Sequence, residues 1–296
     1  MAPKANLTKV ANISATTRQI DFVSRFASNV EALMQIMGIS RLIEETPGAD
    51  LRVLTGGVTL QSGNVGEGEE IPYSLATVSE STIAKATLNK YCKAVSIEAI
   101  DKYGYDIAVE MTDSAFINKL QNIITSQFYT FLATGTLTST ETTFQMALAM
   151  ARGKVIEKFQ SLDLDVSEVV GFVNTTDFYK YLGGANITTQ TAFGMQYISN
   201  FMGYRTIFLA DDDRVSSGKI YATPVENIVC YYINPAHSDY ARAGLEFSID
   251  GDTPLLGCHI EGNYKTLVSE NTAIMGIYLF AEHLDGISAI TINSGN

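Results

Sequence analysis

A long helix with almost no charge places the strongest constraint on the fold of this chain. Apolar side chains at every fourth position predict an amphipathic helix over residues 113–134, about 33 Å long. Its stripe consists of Phe116, Leu120, Ile124, Phe128 and Leu132. Thr112 or Asp113 is the expected N-cap, and Gly135 is the expected end. Because no charged residue occurs from position 120 to 140, we expect protein to cover this helix on more than one side.

Residues 51–89 predict a long β-hairpin with an acidic tip. Val, Thr, Ile, Tyr and Leu dominate this region and favour strands. The tip, where glycines allow the turn and acids keep it solvated, consists of Gly63, Asn64, Gly66, Glu67, Gly68, Glu69 and Glu70. A fully extended run from 71 to 89 would span about 60 Å, far more than a usual strand. Since an isolated two-stranded ribbon is marginally stable in water, this hairpin needs a partner surface.

Residues 17–37 predict a second amphipathic helix. A capping-box pattern at Thr16-Thr17-Arg18-Gln19 begins it, and Gly38 ends it. Its apolar stripe consists of Ile20, Val23, Phe26, Val30, Leu33 and Met37. The stripe must pack on another apolar surface, and the sequence leaves open whether that surface belongs to the same chain or to a neighbour.

Charge is unevenly distributed along the chain. The 296 residues include 32 acids and 20 bases, for a net charge of −12. Proteins that grip nucleic acid usually have the opposite sign, because phosphate contacts need Lys and Arg. The first 20 residues differ, since they hold Lys4, Lys9 and Arg18 and no acid. This segment is either a solvated tail or a basic arm that meets an acidic partner or nucleic acid.

The remaining pattern predicts an α+β protein. A strand over 90–98 leads into a short helix at 97–103, which Gly104 ends. Residues 141–255 form an α/β region, and residues 258–290 are again strand-like. Within the α/β region we expect helices at 144–159 and 174–181 and strands at 169–173, 204–209, 218–223 and 227–233.

The sequence contains no catalytic, cofactor-binding or metal-binding motif. The three histidines, His237, His259 and His283, lack zinc-site spacing, and the acids at 211–213 are typical of a solvated turn. The three cysteines, expected to be buried thiols, are Cys92, Cys230 and Cys258. The longest apolar run, 273–281, is too short to span a bilayer. We therefore predict no enzyme activity, no cofactor and no membrane partner.

The order of these elements resembles the major capsid proteins of tailed bacteriophages, which share the Hong Kong 97-type fold. An N-terminal arm with a helix comes first. The segment from Gly66 to Tyr73 is similar to the tip of that family's extended loop, and the segment from Lys93 to Ile100 leads into its long spine helix. An α/β insertion and C-terminal strands follow. The resemblance covers nearly the whole chain, and it lies in element order more than in an invariant motif.

The resemblance implies a division of the chain into named regions. Residues 1–50 would form the N-terminal arm and 51–89 the extended loop, whose tip would meet a neighbouring subunit. Residues 90–140 would form a peripheral domain with the spine helix at 113–134. Residues 141–255 would form the axial domain, and 256–296 would return to the peripheral domain as strands.

The resemblance also implies partners and a location. Pentamers and hexamers of the chain would build an icosahedral or prolate shell that encloses double-stranded DNA without binding it specifically. Only about 16 residues precede the first helix, so the resemblance implies a separate scaffolding protein or a chain that starts after cleavage, and Met1 favours the former. A portal is expected too, with a decoration protein as an option. The protein would be found in the virion after assembly in the cytoplasm of a host bacterium.

Two alternatives stay open from the sequence. An encapsulin-type nanocompartment shell would share the fold, and its gene would lie beside a cargo gene instead of portal and terminase genes. An α+β enzyme with an unrecognised site would be a monomer or small oligomer with a ligand pocket. Sedimentation of the purified protein separates the second alternative from either shell.

Overall fold

The structure, a computed structural model, describes residues 17–37, 39, 41–183, 189–192, 194–249 and 254–293. The predicted cap residue Thr16, the predicted stop Gly38, and Lys4 and Lys9 lie outside these ranges. The described helices are α1 (Thr17–Met37), α2 (Ile97–Tyr103), α3 (Thr112–Leu132), α4 (Phe144–Ser161), α5 (Thr175–Leu182) and α6 (Ser238–Arg242). A π-helical turn, Asp106–Met111, runs directly into α3.

The described strands form a large sheet and three small ones. They are β1 (Leu42–Glu45), β2 (Asp50–Thr59), β3 (Leu75–Lys85), β4 (Asn89–Ser96), β5 (Leu137–Glu141), β6 (Val169–Asn174), β7 (Gln190–Ala192), β8 (Met195–Phe201), β9 (Tyr204–Ala210), β10 (Lys219–Pro224), β11 (Ile228–Ile233), β12 (Leu256–Asn263), β13 (Val268–Met275), β14 (Ile277–Ala281) and β15 (Ser288–Ile292). The large sheet has the order β5-β15-β10-β6-β9-β8-β7. The small sheets are β1-β11-β14, β12-β13-β4 and the ribbon β2-β3.

The large sheet separates two hydrophobic cores. Every residue of its middle strand β6 is buried, and alternate side chains point to opposite faces. Phe172 joins the core that contains α1 and α3, where its ring meets Phe128 edge-on at 5.5 Å. Val173 joins the other core, beneath α4 and α5. The continuous apolar sequence of β6 is what a strand covered on both faces requires.

The last strand departs from the expected regional boundary. Residues 256–296 were expected to return together to the peripheral domain, but β15 pairs with β10 and β5 in the large sheet. Only β12 and β13 join β4, and β14 pairs with β11. The reason is packing: Ile290 fills the core beneath α4, a position that sequence periodicity alone does not assign to one sheet or another.

Helix α1 packs on its own chain. The sequence left open whether its apolar stripe packs on the same chain or on a neighbour, and the structure shows the former. It matches the predicted range and lies against β12 and α3. Val23, Phe26 and Val30 are fully buried in the core that α1 shares with α3. The assignment of Ile20 to the same stripe is wrong, because its side chain is 57 % exposed. Gln19 occupies the buried face at that turn instead.

Both predicted ends of the long helix need correction. Thr112 and Asp113 do not cap it, because the backbone is already helical at Met111 and continues from the π-helical turn. The Thr112 hydroxyl instead donates to the Ala108 carbonyl at 2.7 Å. Helix α3 ends at Leu132, and Gly135 does not have the positive φ of a glycine C-cap. Gly135 is required because a Cβ there would lie 2.8 Å from Ile287 Cγ2.

One face of α3 is covered within this chain and the other is open. Leu120, Ile124 and Phe128 are buried, and Phe116 is half-buried against Phe22, with ring centroids 5.8 Å apart. The opposite face is exposed at Asn122, Ser126, Gln127 and Thr130. The expectation of cover on more than one side is therefore not met by the single chain.

Candidate assembly interface

The predicted hairpin is an antiparallel ribbon of β2 and β3 that leaves the rest of the fold. Its strands are 10 and 11 residues long, so each spans about 35 Å. This is shorter than the expected extended run to residue 89, because β3 ends at Lys85 and β4 starts afresh at Asn89 in another sheet. Among the described residues, neither outer edge of the ribbon pairs with a further strand.

Among the described residues, the contacts that anchor the ribbon lie at its base. Leu51 and Ala86 are fully buried in a small core with Val229 and Ile233. The backbones of Gly48 and Ala86 hydrogen-bond at 2.8 Å, and Tyr278 Oη donates to the Thr87 carbonyl at 2.7 Å. These contacts fix the direction in which the ribbon departs from the subunit.

Beyond its base the ribbon exposes large apolar side chains on both faces. Register pairs Val58 with Ala76 on one face and Thr59 with Leu75 on the other. The exposed apolar side chains of the ribbon and its loop are Val58, Leu60, Ile71, Tyr73, Leu75 and Val78. Tyr73 is the extreme case at 91 % exposure. Since contiguous exposed apolar surface of this kind marks interaction sites, the ribbon is the leading candidate for a subunit contact.

The tip is a local turn with outward carboxylates. Glu69 folds back, because its Oε2 accepts from the Gly66 amide at 2.9 Å. The Glu69 amide in turn donates to the Gly66 carbonyl at 3.1 Å, and Gly68 supplies a φ of 86° that favours glycine. Glu67 and Glu70 are exposed. The predicted tip residues Gly63 to Glu70 thus lie together and away from both large cores.

A buried ion cluster holds the N-terminal helix to the start of α3. Arg18 donates to both carboxylate oxygens of Asp113, at 2.6 and 2.9 Å. Lys93 Nζ reaches Asp113 Oδ1 at 2.6 Å, and Asn271 Nδ2 donates to the same oxygen at 3.2 Å. Burial by itself would raise the pKa of the Asp113 carboxyl, but the hydrogen bonds from Arg18 and Lys93 outweigh it and hold this pKa below its ordinary value.

The structure divides the predicted site residues into two groups. The N-arm residues Val23, Phe26 and Val30 and the spine residues share one core, so they build the subunit and do not form a free surface. The tip residues remain available to a partner. Sequence reasoning missed Val58, Leu60 and Val78 as exposed apolar residues, although the weak alternation of this region was the signal. It also missed the ion cluster, which joins residues far apart in sequence.

The acids at 211–213, which the sequence indicates as a solvated turn, lie at a turn of the chain. Asp212 Oδ1 accepts from the Ser217 amide at 2.7 Å and so shapes a turn. Among the described residues, no group of three or more His, Cys, Asp or Glu side chains is arranged to hold a metal ion. Cys230 and Cys258 are buried as expected, but Cys92 is exposed on edge strand β4, so that prediction is wrong. No helix of the described chain has the length and hydropathy to cross a bilayer.

Comparison with known proteins gives matches in structure and none in sequence. No protein-family model matches the chain, and no curated protein matches it. The capsid of an empty GTA particle aligns with a TM-score of 0.54 at 10% identity, over 99% of this chain and 94% of that one. The mature capsid of bacteriophage PhiM1 aligns with 0.54 at 9% identity, over 88% and 87%. A virus-like particle from Pyrococcus furiosus aligns with 0.52 at 10% identity, over 93% and 100%.

The matched chains define the class of the fold, which is one found in protein shells. It is the Hong Kong 97-type capsid fold, in an α+β chain that carries an extended ribbon and a long central helix. Because sequence identity is near 10%, the likeness establishes the fold, and function rests on the surface described above.

Proposed function

We propose that this chain is the major capsid protein of a tailed bacteriophage. It self-assembles through pentamers and hexamers into an icosahedral or prolate shell that encloses double-stranded DNA. The observation that carries the proposal is the ribbon β2-β3, which exposes apolar side chains on both faces in a chain with a shell-protein fold. The chain acts as a structural protein of the virion and not as an enzyme.

Physical reasoning favours a contact between unlike surfaces of neighbouring subunits. A ring closes when one patch on each subunit meets a different patch on the next. The ribbon is such a patch, because it stands apart from its own core and cannot bury its apolar side chains there. Full burial of a side chain such as Leu60 or Ile71 is worth about 1.5–3 kcal/mol. Many contacts of this size, summed over a closed shell, give a stable particle.

The regional roles follow from this assignment. Residues 1–50 serve as the N-terminal arm and 51–89 as the extended loop laid over a neighbour. Residues 90–140 and most of 256–296 make the peripheral domain, and 141–255 make the axial domain around fivefold and sixfold axes. The strand β15 is shared, because it belongs to the large sheet. A scaffolding protein, a portal and, as an option, a decoration protein complete the particle in the bacterial cytoplasm.

The net charge of −12 suits a container whose DNA must enter and leave. An acidic subunit disfavours tight binding to phosphates. Empty shells are therefore expected to release duplex DNA at physiological salt. Tight retention of DNA by purified empty shells would contradict this part of the proposal.

Sedimentation of the purified chain tests the proposed function. Expressed alone or with its scaffolding protein, the chain should give a fast fraction with a narrow size distribution. An enzyme of ordinary size would sediment as a monomer or small oligomer under every condition. A chain that never assembles, even with scaffold, would overturn the proposal.

A further inference from the structure

We propose that residues 1–16 of this chain bind along a cleft between the start of α1 and the π-helical turn. The cleft has a volume of about 730 Å³. Helix α1 contributes Arg18, Asp21 and Arg25 to its lining, and the π-helical turn contributes Asp106, Glu110 and Met111. Arg18 pairs with Asp113 and Arg25 with Asp21, so the cations of the cleft wall already have acidic partners. The inference concerns the subunit itself and does not depend on shell formation.

The first argument is charge complementarity. The segment 1–16 contains Lys4 and Lys9 and no acid. The π-helical turn contributes two acids and no base to the wall of the cleft, namely Asp106 and Glu110. Within the described chain, Asp106 and Glu110 have no cationic side chain within 4.0 Å, unlike Asp113. Their carboxylates are therefore available to a basic segment.

The second argument is apolar surface that nothing in the described chain covers. Met111 is 66 % exposed and Tyr105 is 48 % exposed, and both line the cleft. A second cleft of about 610 Å³, also lined by the π-helical turn, is walled by Tyr103, Ile107 and Val268. Residues Leu7, Val10 and Ile13 of the segment offer matching apolar side chains. An apolar and basic segment thus meets an apolar surface with an acidic rim.

The third argument is position. The described chain begins at Thr17, and Arg18 in the first turn of α1 already lies in the wall of the cleft. A segment of 16 residues reaches up to about 50 Å when extended, so it spans both clefts from this starting point. Arg18 lies just outside the segment and pairs with Asp113. The cations of the segment itself are therefore Lys4 and Lys9.

The same surface is a poor site for the ribbon tip of a second copy. Glu67, Glu69 and Glu70 would approach Asp106 and Glu110 with charge of the same sign. Duplex DNA is disfavoured here for the same reason, because its phosphates would face an acidic rim. The N-terminal segment is the occupant that the charges favour.

The chain contains no tryptophan, so a single tryptophan introduced by substitution gives a fluorescence signal from this contact alone. In full-length, unassembled Tyr105→Trp subunit, we expect emission typical of a shielded indole. Deletion of residues 1–16 should shift the emission to longer wavelength, and a synthetic peptide of residues 1–16 should restore it. A matched reporter, Tyr179→Trp on the exposed side of α5, should respond to neither change.

Charge reversal in the peptide tests the electrostatic basis. A peptide with Lys4→Glu and Lys9→Glu should bind at least about tenfold more weakly, since two favourable pairs become repulsive. Should the deleted chain fail to fold, the full-length subunit with both reversals gives the same comparison with α1 intact. Circular dichroism checks the fold in each case.

Three results would overturn the proposal. The first is Tyr105→Trp emission that changes with neither the deletion nor the peptide. The second is a shift that follows subunit concentration and disappears when the ribbon tip is deleted, which would assign the cleft to a second copy. The third is duplex DNA binding that is lost when residues 1–16 are deleted, together with Tyr105→Trp emission that stays the same after that deletion. Because each measurement uses unassembled subunits, failure here is distinguishable from failure of shell assembly.

Discussion

Three parts of the subunit meet at the carboxylate of Asp113. Arg18 comes from α1, Lys93 from β4, and Asp113 itself from the first turn of α3. The carboxylate is nearly inaccessible, and the two cations are mostly shielded from solvent. A buried charge needs such partners, because water can no longer stabilise it.

Removal of this carboxylate should destabilise the subunit strongly. Asp113→Ala leaves two cations beside a void, and we expect a loss of about 3 kcal/mol in the free energy of unfolding. Asp21→Ala is the matched control, because Asp21 is exposed and lies 3.6 Å from Arg25. It should cost less than about 1 kcal/mol. Urea unfolding of the unassembled subunit measures both, and equal losses would contradict the role of the cluster.

Local rules did not predict this cluster. An acid at the start of a helix pattern is usually read as a cap, and Asp113 was interpreted in that way. The structure extends the helix backward through a π-helical turn, so the position is interior and the side chain pairs with distant residues. Likewise, Ile20 fits the helical period of α1. Whether a residue at the edge of that apolar stripe is buried depends on the surface that α1 packs against, which the period does not reveal.

The three thiols should differ sharply in reactivity. Burial raises the pKa of Cys230 and of Cys258 to about 12, so neither forms a thiolate at neutral pH. Cys92 is exposed. We expect Ellman's reagent to modify one thiol per native subunit and three after unfolding in guanidinium. Rapid reaction of all three in the native subunit would contradict the burial described here.

Among the elements, those with a strong period were predicted closely. Helix α1 has the predicted ends, α4 and α5 agree within two residues, and the strands β6, β9, β10 and β11 lie at the expected places. Strands β1 and β7 were missed because four and three residues are too few to show a period. Strand β8 was missed although it has seven residues. The pairing of β15 with β5 joins segments about 150 residues apart, and such long-range pairing is not encoded in local periodicity.

The segment after α3 approaches the residue before β15 so closely that no room remains for a side chain at Gly135. An added Cβ would lie 2.9 Å from the Ile287 carbonyl oxygen, so we expect Gly135→Ala to cost about 1–3 kcal/mol through overpacking. Gly153→Ala in α4 is the control, because nothing lies within 4 Å of its added Cβ. It should stabilise the subunit by about 0.5–1 kcal/mol. Thermal unfolding compares the two, and a stabilising Gly135→Ala would refute the close approach.

The ribbon tip should matter for assembly and not for folding. Deletion of residues 63–70 leaves seven of the fifteen residues between Thr59 and Leu75, so the ribbon can still close. We expect an unchanged circular dichroism spectrum and a loss of particles by electron microscopy. The full-length variant Glu67→Gln with Glu70→Gln separates the effect of charge from that of the loop. Normal particle numbers from the deletion would show that the tip makes no required contact.

At the scale of the whole molecule, the fold and the surface point in the same direction. Residue composition excluded few classes of fold. The order of helix, hairpin, long helix and α/β region, in contrast, indicated the architecture that the structure shows. The partner surface of the ribbon could not be predicted, because the proposed contact is with another subunit and no local pattern in this chain identifies that surface. The exposed apolar ribbon and the open polar face of α3 are two of the features that the described part of one subunit leaves without cover.

Electron microscopy of the fast-sedimenting fraction tests the central claim most directly. We predict closed shells with widths on the order of hundreds of ångströms, built from pentamers and hexamers. In a reconstruction, the ribbon β2-β3 of each subunit should lie on a neighbouring subunit, with Tyr73 buried there. Small oligomers in every condition, or shells in which Tyr73 stays exposed to solvent, would contradict this account.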